Sequence, residues 1–168
     1  DSDLLLDSFR HLSSTSPSFI LLASLDAARE VMEKHGSKKI NGLLKIASKL
    51  SLGINKIPGM RAVSTKEIKK GNPSVYSRDE TKVIIDVTES GMTGYEFAEI
   101  LERDYSIIVE KFDQFMILLL VPFQATLQDT VTTIKAIKII MAFRKIHHID
   151  TDKKGHIFTI YQEVPVRK

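Results

Sequence analysis

From Lys82 to Gln162 the chain alternates Val- and Ile-rich runs with capped segments of helical period, and this order restricts the fold more than any other feature. The run from Lys82 to Val87 predicts a strand. Thr93-Gly94-Tyr95-Glu96 has the pattern of a capping box, in which hydroxyl and carboxylate satisfy each other's backbone donors. It predicts a helix through about Glu102 that buries Phe97, Ala98 and Leu101. Ser106 to Glu110 and Gln114 to Val121 read as two strands, with a hairpin at Lys111-Phe112-Asp113. Thr126 caps a helix expected to reach about Ile146, with Asp129 in the first turn where its charge complements the helix dipole. Leu127, Val131, Ile134, Ile137 and Met141 make its expected inner face. A last strand, Ile157 to Gln162, follows the polar turn from Asp150 to Gly155. The order β-α-β-β-α-β predicts an α+β sandwich with helices packed on a mostly antiparallel sheet.

Two helices are expected before this unit. Leu4, Leu5, Leu6 and Phe9 form a short apolar stretch, read as the end of an earlier element. Ser16 can cap a helix and Pro17 suits its first position, because it has no N–H to leave unpaired. That helix runs to about His35, with Ile20, Ala23, Ala27 and Val31 on one face, and Gly36 is a natural stop. The second runs from about Lys38 to Leu52 with Ile40, Leu43, Leu44, Ala47 and Leu50 as its apolar stripe, and Gly53 ends it. Residues 55–80 hold Pro58-Gly59 and Gly71-Asn72-Pro73 without clear periodicity and read as a linker. The expected division is 1–54, 55–80 and 81–168.

Composition excludes several classes. The 168 residues contain no cysteine, so disulfides, zinc-thiolate sites and cysteine nucleophiles are ruled out within the chain. This fits a reducing compartment. Lys+Arg 24 against Asp+Glu 21 is too balanced for a nucleic-acid-binding domain. The runs at Lys38-Lys39 and Lys66 to Lys70 read as solvated surface. No apolar stretch approaches the roughly 18 residues of a membrane span. The start, Asp1-Ser2-Asp3, has no signal-peptide pattern and no initiator Met, and reads as a fragment boundary.

The search for chemistry returns one feature. His147-His148-Ile149-Asp150-Thr151-Asp152 fails as a calcium loop, because the fifth and twelfth positions from Asp150 hold Lys154 and Tyr161. Adjacent histidines also seldom converge on zinc, so no metal site is expected. No phosphate-binding glycine loop or nucleophile-elbow pattern occurs. Hydroxyls do cluster at Ser13, Ser14, Thr15, Ser16 and Ser18, before a helix. Backbone N–H groups and the dipole make such a place able to hold a phosphate. A well-capped helix explains the same residues.

The segment from Ser14 to Arg29, STSPSFILLASLDAAR, resembles the T-S-P-S-Y/F-x-L-M-A-S-L-D-x-A-R stretch of the ornithine/lysine/arginine decarboxylases, with Leu22 where that family usually has Met. Downstream, Asp79-Glu80-Thr81-Lys82-Val83 and Gly91-Met92-Thr93-Gly94-Tyr95-Glu96 resemble its D-x-T-K-L/V and G-L/M-S/T-G-Y/F-E. Ile107 to Glu110 and Phe115 to Leu120 resemble the I-x-x-E and apolar strand that follow. The likeness covers nearly the whole chain and is weakest in 55–80 and after about Arg144.

The resemblance implies a cytoplasmic decarboxylase of lysine, arginine or ornithine that uses pyridoxal phosphate (PLP), has the aspartate-aminotransferase fold and assembles as a homodimer or higher homo-oligomer. The family's cofactor lysine stands in an S-x-H-K context, and no His-Lys pair occurs here. No catalytic residue is therefore expected within this chain, which corresponds to the end of a PLP-binding large domain, its connecting helices and a small C-terminal domain. Thr15 and Ser16 are implied as contacts to the PLP phosphate of the partner subunit. The family's P-P-G-I-P-like ending is absent, and the chain closes on Val164-Pro165-Val166-Arg167-Lys168. The alternative from another class is a non-catalytic ferredoxin-like module that binds ligands or dimerises, since β-α-β-β-α-β describes that too.

Overall fold

A computed structural model describes residues 2–13, 16 and 18–143. The chain divides between Lys39 and Ile40 into two compact units. The expected strand at 157–162, the last turn of the helix expected to reach Ile146, and the His147 to Asp152 run lie outside the described residues.

The first unit holds helix α1, Ser2–Leu12, and the start of helix α2, Phe19–Ile54. No residue of α1 is buried. The apolar stretch at Leu4 to Phe9 lies within this helix. The two helices expected at 17–35 and 38–52 are one continuous helix of 36 residues. Glycine permits a helix stop but does not impose one; inside a helix it costs only about 1 kcal/mol relative to Ala. At Gly36 the Met32 side chain lies 3.1 Å from where a Cβ would sit. At Gly53 the side chain of Ile134 occupies that space outright, so the missing Cβ is what lets another helix approach.

The second unit contains β1 (Arg61–Ala62), α3 (Thr65–Gly71), β2 (Lys82–Asp86), α4 (Gly94–Tyr105), β3 (Lys111–Phe112), β4 (Met116–Leu120) and α5 (Leu127–Phe143). The strands form one antiparallel sheet in the order β1-β2-β4-β3. Val83 pairs with Leu119 and Ile85 with Ile117, and all four are buried. Phe97, Ala98 and Leu101 of α4 cover them, as expected from the sequence. Leu43, Ala47, Leu50 and Ile54 of α2 join the same core. Ile40 and Leu44, expected beside them, are exposed.

Three details differ from the sequence reading. Ser106 to Glu110 is not a strand. Ser106 adopts a left-handed conformation, φ 56°, and its N–H donates to the carbonyls of Leu101 and Glu102, closing α4 before the chain turns outward. The strand begins at Lys111 instead. The hairpin turn is then at Asp113, whose Oδ1 accepts from the N–H groups of Phe115 (2.7 Å) and Met116 (2.8 Å). The inner face of α5 is also rotated. Thr130, Ala136, Ile137, Ile140 and Met141 are buried, whereas Leu127 and Val131 are exposed. This helix is apolar on several sides, so its period could not single out a face; the fit of Ile134 over Gly53 does. Residues 55–80 carry β1 and α3. The Ser64 to Glu67 capping box starts α3, and Asn55 Oδ1 accepts the Ala62 N–H at 2.7 Å, beside β1.

Candidate functional site

Helix α2 begins at Phe19, two residues later than expected. Ser18 and not Ser16 is its cap: the Ser18 carbonyl accepts the Leu22 N–H at 3.0 Å, and its Oγ accepts the Leu21 N–H at 3.5 Å. Ser16 lies exposed in a bend just before it. Thr15, the other expected phosphate contact, lies outside the described residues.

The start of α2 can be set against three other helix starts. Helices α3, α4 and α5 each place a carboxylate at the third position: Glu67 with Ser64, Glu96 with Thr93, and Asp129 with Thr126. In each, an acid already compensates the positive end. The Thr126 N–H and hydroxyl hold the Asp129 carboxyl below its usual range. The first turn of α2 holds no acidic residue. Its donors are hydroxyls and backbone N–H groups, with no negative charge to repel an anion. That donor set fits the phosphate of PLP.

The second set of family-like residues does a different job. Asp79 Oδ1 accepts from the N–H (2.9 Å) and hydroxyl (2.6 Å) of Thr81, turning the chain into β2. The Thr81 hydroxyl and N–H, with Lys82 and Arg78 adding charge, hold the Asp79 carboxyl below its usual range against a small burial penalty. Lys82 reaches across to Glu110, 2.7 Å away. Thr93 and Glu96 complete the capping box of α4. A Cβ on Gly94 would collide with the carbonyl oxygens of Asp113 and Met116. These residues build the sheet and its first helix.

A polar cavity of about 420 Å³ lies beside β1, lined by Asn55, Gly59, Arg61, Glu67, Asp86 and Glu89 among others. Arg61 donates to Asp86 Oδ2 and Glu67 Oε1, each at 2.5 Å. Asp86 is itself buried and also accepts from the N–H and hydroxyl of Thr88. Burial alone would lower the Arg61 pKa, but the hydrogen bonds and charges of Asp86 and Glu67 raise it. The Ser64 hydroxyl is the main cause that lowers the Glu67 pKa; burial opposes it, and the Ser64 N–H and Arg61 add to it. The arrangement ties β1, β2 and α3 together. No spacing rule in the sequence links Arg61 to Asp86; the β1–β2 register, which pairs them, does. Ser64-Thr65-Lys66-Glu67 was the legible signal nearby.

Among the described residues no three His, Asp or Glu side chains are placed to hold a metal, and no helix is long and apolar enough to cross a membrane.

Comparison with known proteins adds the family. The model of the Orn/Lys/Arg decarboxylase major domain matches residues 1–129. An arginine decarboxylase of Bacillus anthracis is 34% identical over 155 residues, 92% of this chain and 30% of that protein. One from Halalkalibacterium halodurans is 39% identical over 126 residues, 75% of this chain and 25% of that protein. This chain therefore spans about a third or less of the relatives it matches. The structure of Escherichia coli constitutive lysine decarboxylase superposes on 84% of this chain and 24% of its own length, with a TM-score of 0.58 and 16% identity, which is a likeness of fold. By its matched length and by these identities, the chain belongs to the ornithine/lysine/arginine decarboxylase family.

Proposed function

We propose that this chain is part of a PLP-dependent decarboxylase of basic amino acids, with arginine as the substrate, and that its own contribution is to hold the cofactor's phosphate. The observation that carries this is the acid-free start of α2, at the segment whose sequence resembles the family's T-S-P-S stretch. The choice of arginine rests on the relatives named arginine decarboxylase. When bound, PLP supplies an electron sink for the charge left as carbon dioxide departs. Thr15 and Ser16 hold the phosphate through their hydroxyls, assisted by the first N–H groups of α2, and do so for the cofactor of a second protomer. That makes the active form a homodimer or a larger homo-oligomer. A cytoplasmic location follows from the family resemblance alone.

The chain contains no S-x-H-K lysine, so the Schiff base requires a lysine from elsewhere in a longer parent. The small C-terminal part is assigned to covering the active-site entrance. The ferredoxin-like alternative has less to stand on. The strand beside β2 comes from Arg61–Ala62, at the edge where a ferredoxin-like order would seat the final strand.

The test uses the full-length parent. Thr15→Ala with Ser16→Ala is expected to weaken PLP binding by roughly tenfold or more, since a hydrogen bond to a charged group contributes about 1.5–3 kcal/mol. Visible absorbance during a PLP titration reads this directly. Unchanged affinity overturns the assignment of both residues.

A further inference from the structure

We draw no further inference here: the strongest candidate, the unpartnered apolar surface that α1 and the first turns of α2 present through Leu5, Phe9, Leu12, Phe19 and Leu22, carries nothing, because nothing in the structure shows what covers it.

Discussion

Phe9 and Phe97 are the same side chain in opposite circumstances. Phe97 is fully buried against the sheet of the second unit, whereas Phe9 in the first unit is 69% exposed. The contrast extends to whole helices. α4 buries one stripe and closes both ends, with the Thr93–Glu96 capping box at one and the Ser106 backbone N–H at the other. α1 buries nothing, and Phe19 to Leu22 of α2 are apolar residues left in the open. Four consecutive apolar residues cover every side of a helix turn, so Phe19 to Leu22 leave that turn no water-facing side. The two units therefore spend family-like residues differently. Those of the second unit are explained by bonds inside it. In the first unit Ser18 caps α2 and Asp26 pairs with Arg29 at 2.9 Å, but Phe19, Ile20, Leu21 and Leu22 remain exposed among the described residues.

The contrast is sharpest in a pair of truncations. Phe97→Ala should cost about 3–5 kcal/mol, the usual range for emptying a buried aromatic site. Phe9→Ala should stay within about 0.5 kcal/mol. Urea denaturation of this chain, followed by circular dichroism, measures both; equal effects would erase the distinction. Next in size is Gly94→Ala, expected to lose about 2–3 kcal/mol in the same assay. The new methyl group meets backbone carbonyls that cannot swing aside as a flexible side chain would.

Caps come next. Thr93→Ala should cost about 1 kcal/mol, because it breaks a reciprocal box. Ser18→Ala should cost only a few tenths, since its bond to Leu21 is long at 3.5 Å. Within α2 two of the three glycines should move stability in opposite directions. Gly42→Ala meets nothing within 4 Å and should raise the unfolding midpoint by an amount equivalent to up to about 1 kcal/mol. Gly53→Ala displaces Ile134 and should lower it.

The smallest effect is on pH. Glu67 and Asp79 have lowered carboxyl pKa values in the folded chain, held down first by Ser64 and Thr81. The unfolded chain thus binds protons at a higher pH than the folded one. Their stabilisation is complete above the usual carboxylate range, near pH 4, and is lost as pH falls through the lowered values. Replacing both by their amides should flatten the acid limb of a stability profile and leave the neutral plateau's slope unchanged.

Much of the second unit was legible in the sequence because its signals are local. The Thr93 and Thr126 caps, β2, β4 and the buried face of α4 depend on neighbours a few residues away. What escaped depended on distant partners. α2 runs through three glycines, and at Gly53 it is Ile134, far along the chain, that occupies the place of a Cβ. β1 spans only two residues and exists through its pairing with Ile85 and Asp86. The true face of α5 was hidden by its surplus of apolar residues. At the candidate site, the sequence supplied the hydroxyls and the helix. Which serine caps it depended on where the helix starts, and Ser18 is two residues from the expected cap.

Gly94 has one more consequence. Its place beneath the carbonyls of Asp113 and Met116 makes the G-M-T-G-Y-E stretch a joint in the framework. A descendant that had lost all catalytic power would still require that joint to fold. Matching this stretch in a genome therefore finds the scaffold, and pseudoenzymes would answer to it as readily as working decarboxylases.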